Sequence, residues 1–319
     1  MKKAINTSRA TGPGIPPMLA IAGGILAVST SSIFIRYAQA EAGSLVIAAY
    51  RLSIATLVLA PLALSKYGDE LKKLSRQAIT LGILSGVLLA IHFATWITSL
   101  EYTTIASSVV LVSTSPLWVA LLSPLVLRES IRREVLGGLV LTLAGSSIVG
   151  MSDVCQLAWG GVTCPPLAEF VQGEAFLGDL LALAGALTGA GYLLIGRKLR
   201  ASMSLIAYIF VVYGFAAVTL IAIMFGSGSA PTGYAPQFYL WVTLLALVPQ
   251  LLGHSTFNWA LGYLPAAFVA ITLLGEPVGS TILAYFLLHE EPTLLKLFGA
   301  ILILIGITIT SLNQTRNKT

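Results

Sequence analysis

A chain of 319 residues that is 56% hydrophobic and only 10% charged, with a mean hydropathy of +0.90, is excluded from the ordinary soluble class, whose members carry about 25% charged residues. Its formal net charge of +5 argues for no nucleic acid partner in so apolar a chain. What the basic residues report is the orientation of a protein embedded in lipid.

A helix crosses the hydrocarbon layer with about 20 apolar residues. Ten stretches qualify, at residues 17–37, 44–65, 77–98, 103–127, 131–150, 175–196, 203–225, 238–261, 264–288 and 293–312. Residues 1–16 and 313–319 are left as tails, and no room remains for a separate soluble domain. The first apolar run ends near an Ala-Gln-Ala at 38–40 that resembles a signal cleavage site. It is too long for a signal segment and has Arg36 just before that site, so it reads as a retained helix. Of the Lys and Arg residues, all but Arg36, Arg51 and Lys296 fall in the two tails and the loops after helices 2, 4 and 6. The opposite loops carry acids, among them Glu41, Glu101, Asp153 and Glu290. The positive-inside rule then puts both termini in the cytoplasm, in the cell membrane. The outer loop 151–174 holds the two cysteines of the chain, Cys155 and Cys164. Facing an oxidising compartment, they are read as a disulfide in preference to free thiols, and two ligands with no histidine nearby argue against a metal.

The second half repeats the first. Pro277 lies 161 residues after Pro116, and the same shift matches Glu129 with Glu290, Gly138 with Gly299 and Gly145 with Gly306. It also matches Leu100 with Leu261, Tyr102 with Tyr263 and Ala106 with Ala267. The unit is five helices, residues 17–150 and 175–312. Five is odd, so the halves are expected to cross the membrane in opposite directions, an arrangement typical of secondary transporters.

Three stretches carry a family resemblance: "AYRLSIATLVLAPLAL", "LEYTTIASSVVLVSTSPLWVALLSPLVLRESI" and "LGYLPAAFVAITLLGEPVGSTILAYFLLHEEPTLLKLFGAILILIGI". They resemble the EamA-like branch of the drug/metabolite transporter superfamily. The resemblance implies an all-α integral membrane fold of ten transmembrane helices, in two inverted five-helix repeats around a central cavity. It further implies secondary-active or facilitative movement of small metabolites by alternating access, often export of amino acids or related solutes. The "LHEEP" at 288–292 departs from the family, which more often has Gly before the glutamate.

The residues most apt to carry transport are polar groups inside apolar spans. Glu276 lies mid-span, where an acid costs about 2.5–3.5 kcal/mol, so it is expected to face a cavity and to bind a substrate amine or a proton. Its repeat mate is Ser115. His92 and His254 are one residue out of register, and either is suited to relaying protons or binding a carboxylate. Trp96 follows His92 by four residues and Asn258 follows His254 by four, each on the face of its histidine. Tyr192 and Trp259 are candidate aromatic walls. Pro116 and Pro277 are expected to kink helices 4 and 9 and to free the carbonyls of Val112 and Leu273, for a gate or for packing. Arg51 is expected near enough to the outer surface to snorkel and is read as a structural charge, ion-paired or bound to carbonyls. No nucleotide-binding or hydrolytic motif appears, so an enzyme inside the membrane and a channel are the alternatives to a carrier. The expected partners are a small-molecule substrate, the lipid bilayer and protons as a candidate co-substrate, with no cofactor and a monomeric chain.

Overall fold

The computed structural model describes residues 15–102, 108, 111–129, 133–151, 156–158, 161–164, 174–288 and 293–315. In chain order the elements are α1 (Pro17–Ser29), α2 (Ser31–Gln39), α3 (Ser44–Lys66), α4 (Gly68–Lys72), α5 (Arg76–Tyr102), α6 (Ser115–Val126) and α7 (Arg133–Met151). A short ribbon of β1 (Gln156–Ala158) and β2 (Gly161–Thr163) precedes α8 (Glu174–Arg200), α9 (Leu205–Gly226), α10 (Pro236–Ala260), α11 (Ala266–Leu273), α12 (Glu276–Leu288) and α13 (Leu294–Thr315). Among the described residues, seven helical stretches are long and apolar enough to cross a membrane, two of them formed by α1 with α2 and by α11 with α12. Three shorter apolar helices, Ser115–Val126, Val135–Ile148 and Leu297–Ile309, accompany them. This is a multi-pass membrane protein.

The ribbon lies within the 151–174 segment, which the sequence marks as a loop between the spans. Gln156 pairs with Thr163 and Ala158 with Gly161 in antiparallel register. Val162 and Thr163 favour extended backbone, and a segment outside the spans is free of the demand that every amide bond within its own helix. Cys164, directly after β2, is disulfide-bonded, while Cys155 lies outside the described residues.

The most extensive helix contacts all join one half of the chain to the other: α5 with α8, α7 with α13, α9 with α3 and α5, α10 with α1 and α2, α6 with α8 and α11, and α1 with α12. These contacts are reciprocal under the 161-residue shift. A Cβ placed on Gly145 would sit 2.6 Å from the carbonyl oxygen of Gly299 and 2.8 Å from Ile303. One on Gly306 would sit 2.8 Å from the carbonyl oxygen of Gly138 and 2.6 Å from Thr142. Each atom pair is the repeat image of the other. Likewise Gly24 abuts Thr256 and Phe257 as Gly185 abuts Thr95 and Trp96. Reciprocity of this kind is what a two-fold relation requires. The glycines permit it, because lipid gives apolar helices no reason to associate beyond close packing.

The prolines do something other than kink a continuous helix. Residues 113–114 and 274–275 are turns, so the runs read from the sequence as helices 4 and 9 are interrupted there. Pro116 and Pro277 are the second residues of α6 and α12. A proline in the first turn gives up an N–H that has no helical partner there in any case. The expected opening of Val112 is met locally, since Ser115 Oγ donates to its carbonyl at 2.9 Å. Two further interruptions occur, at Thr30 between α1 and α2 and in a π-helical stretch of α10, Ala246–His254, around Pro249.

At the end of α6, Arg128 has φ 57°, a left-handed conformation that side chains bearing a Cβ resist. Replacing it by glycine should raise the thermal midpoint over that of Arg128→Ala by the equivalent of about 1 kcal/mol. Equal midpoints in detergent would contradict this account.

Candidate substrate site

Phe93 on α5 and His254 on α10 are repeat equivalents, and their rings meet edge to face with centroids 5.4 Å apart. A residue touching its own equivalent marks where the two repeats meet, and buried polar groups collect around this point. Arg51, from α3, is 0% exposed, with its guanidinium carbon 4.2 Å from the Phe93 ring centroid. Its Nε donates to Gln250 Oε1 at 2.7 Å and its Nη1 to Ser31 Oγ at 3.2 Å. Arg51 Nη2 and Gln250 Nε2 are buried and have no hydrogen-bond partner among the described residues. The snorkelling expected of Arg51 is therefore corrected. The side chain turns inward, toward a neutral amide and a hydroxyl, and makes no ion pair among the described residues. Among the described residues the ion pair is Arg197 with Glu129.

Glu276 opens α12 at the helix break and is half-buried. Its carboxylate makes no hydrogen bond and no ion pair among the described residues. Ser29 Oγ donates to its backbone carbonyl at 3.3 Å. A second polar chain runs beside this one. Tyr192 Oη donates to Asn258 Oδ1 at 2.6 Å, Asn258 Nδ2 donates to Tyr213 Oη at 3.1 Å, and Tyr213 shares a hydrogen bond with Ser255 Oγ at 3.3 Å.

The EamA-like transporter family profile matches residues 15–151 and again residues 176–312. The chain belongs to this family. It is 25% identical over 290 residues to an uncharacterized transporter of Archaeoglobus fulgidus, covering 89% of this chain and 93% of that one. An uncharacterized transporter of Synechocystis sp. is 23% identical over 256 residues, covering 77% of this chain and 69% of the other. A solved crystal structure of a protein shares the fold, with a TM-score of 0.72 and 20% identity over 95% of this chain and 99% of that one.

Within this EamA-like fold the polar groups break the symmetry that the packing obeys. At the repeat positions of Arg51, Gln250, Asn258 and Tyr213 stand Val212, Leu89, Ile97 and Leu52. The scaffold is duplicated and the chemistry is single. Of the residues expected at a site, Glu276, Arg51, His254, Asn258 and Tyr192 converge here. His92 stands at the edge of the group. Its Nδ1 faces the Gly185 carbonyl at 2.8 Å, and since a carbonyl only accepts, Nδ1 carries the proton and Nε2 remains an acceptor. Its ring stacks on Trp96 at 6.0 Å, and Trp96 Nε1 is buried without a partner among the described residues.

The histidines do not act as a matched pair. The equivalent of His92 is Gly253. His92 fills the notch at Gly189, whereas in the other half Val28 fills the notch at Gly253. His254 is one residue further round its helix and meets Phe93 instead. Ser115 spends its hydroxyl on the carbonyls of Val112 and Ala186, a backbone role. Trp259 lies against Tyr263, centroids 4.9 Å apart, in the turn beside Arg200, away from that meeting point. Sequence reasoning missed Gln250, Tyr213, Phe93 and Ser31. Gln250 had a signal: it is a polar residue beside a proline within an apolar span, as Glu276 is.

Proposed function

We propose that this EamA-like protein is a secondary carrier that moves a small metabolite across the cytoplasmic membrane by alternating access. In this reading ten spans form two inverted halves, both termini are cytoplasmic, the chain works as a monomer, and the substrate leaves the cell. Reciprocal packing across the halves supports such an architecture. The observation that carries the site is the pair of buried donors without partners among the described residues, Arg51 Nη2 and Gln250 Nε2, with the Glu276 carboxylate at a broken helix. A buried donor left unpaired costs roughly 1–3 kcal/mol. A ligand acceptor that engages the two donors recovers this, so binding energy is concentrated where the repeats meet. Glu276 then meets a ligand cation or holds a proton, and the helix break frees it from packing into a regular turn.

The test begins with a thermal-shift screen of amino acids and related metabolites on the purified chain. Counterflow of any stabilising compound into proteoliposomes follows, at two pH values. Glu276→Gln should cut saturable counterflow by about tenfold or more, the size of a lost charged interaction, with unchanged yield of folded protein. Wild-type counterflow in the folded variant would refute the role of Glu276, and flux that never saturates would refute the carrier.

A further inference from the structure

Arg197, near the end of α8, makes a three-way contact. Its Nε bonds Glu129 Oε1 at 2.7 Å, and its Nη1 donates to the carbonyl of Leu261 at 2.8 Å. One guanidinium thus fastens the turn after α6 and the residue after α10 to the end of α8. These are the same helices that carry the break at 113–114 and the buried Gln250.

The repeat writes this contact twice. The equivalent of Arg197 is Arg36, and the register there is held without a gap. Helix α2 ends at Gln39 as α8 ends at Arg200, and α3 begins at Ser44 as α9 begins at Leu205. The equivalent of Leu261 is Leu100, and that of Glu129 is Glu290, which lies outside the described residues. Arg36 is exposed, and among the described residues it bonds neither the Leu100 carbonyl nor an acid. Among the described residues the contact is made once.

We infer that Arg197, with Glu129 and the Leu261 carbonyl, is a latch that closes one end of the molecule and opens during the transport cycle, while Arg36 supplies the equivalent contact to Leu100 at the other end. The inference rests on the carrier reading with inverted halves. When one half takes up the conformation of its mate, each contact must pass to its repeat image, so the two arginines act in opposite senses. The strength of the contact suits this role. The side chains of the pair are 25% and 26% exposed, so water reaches the pair in part, and an ion pair at a water-accessible end of the molecule is weaker than one in the interior.

The labelling arm of the test needs no ligand. Ala260 is 0% exposed and two residues before Gly262, beside the latch carbonyl. Ala260→Cys in the full chain, reconstituted in vesicles, is titrated with a membrane-impermeant maleimide; the disulfide at Cys164 removes that residue from the background. Arg197→Gln should raise the labelling rate and Arg36→Gln should lower it, each by about twofold to fivefold, the scale of a partly exposed ion pair. Arg36→Lys should leave it unchanged, and the double variant should return it toward the starting value. A merely structural Arg197 would give the first change without the second. An unchanged rate in Arg36→Gln, or no rise in Arg197→Gln, overturns the latch. If Ala260→Cys fails to fold, Leu264→Cys, at 5% exposure, serves in its place. Saturable counterflow that survives a failed labelling test would sink the latch alone. Its absence from the wild type would sink the carrier reading instead.

Discussion

Arg51→Met should abolish transport while leaving the thermal midpoint no lower than that of the wild type. The two halves of this expectation come from one comparison. At the repeat position of Arg51 stands Val212, fully buried in the same packing, so the scaffold accepts an apolar side chain at this place. A guanidinium held out of water without a carboxylate partner carries a desolvation penalty of several kcal/mol. Its hydrogen bonds to Gln250 and Ser31 and its position over Phe93 return about 1.5–3 kcal/mol apiece at most. Methionine fills a similar volume and removes the penalty. Against this, flux should fall by about a hundredfold or more if the cation holds the substrate, the equivalent of about 3 kcal/mol. Arg51→Lys should recover little, because its single ammonium lacks the fork that reaches Gln250 and Ser31 together. Melting curves in detergent and counterflow in vesicles give the two readouts. A large fall in midpoint for Arg51→Met would assign Arg51 to the fold instead.

Gly306→Val should be among the most destabilising single changes in the chain, and Gly145→Val should match it. The added Cβ at Gly306 meets Thr142 at 2.6 Å and a backbone oxygen, that of Gly138, at 2.8 Å; at Gly145 it meets the Gly299 oxygen at 2.6 Å. A backbone atom cannot swing aside as a side-chain tip can, so α7 and α13 must separate. The expected loss is about 3 kcal/mol or more in each case, with reduced yield of folded protein. Gly137→Val provides the control. It lies on the same helix with nothing within 4 Å of its Cβ and should change stability by less than about 0.5 kcal/mol. Unequal effects at Gly145 and Gly306 would argue against the reciprocity of the packing.

Much of this was legible in the sequence because a repeat is a statement about contacts. A shift found from Pro116, Glu129, Gly138 and Gly145 gives the partners of the glycines almost atom for atom. The polar centre was only half legible. Glu276, His254 and Asn258 stood out as polar residues in apolar runs, but the one-residue offset between His92 and His254 read as near-symmetry. On a helix one residue is about 100° of rotation, enough to send one ring to Gly185 and the other to Phe93. The depth of Arg51 was hidden for a related reason. Distance along a helix bounds how far a side chain reaches but not which way it faces. Pro116 and Pro277 misled because a proline beginning a new helix and a proline bending an old one look alike until the turn before it is seen.

The interleaving of the halves has a consequence for how the protein is made. Helices α1 to α7 leave the ribosome first, yet their chief packing partners, α8 to α13, are still to be synthesised. The glycine faces of α5 and α7, and the buried guanidinium of Arg51, must therefore wait in the bilayer or the insertion machinery without the surfaces that will cover them. Folding is therefore expected to finish after insertion and to be cooperative across the two halves. A nascent chain stalled in the 151–174 loop should be captured by membrane quality control. The two fragments produced by cutting there should regain stability only when expressed together.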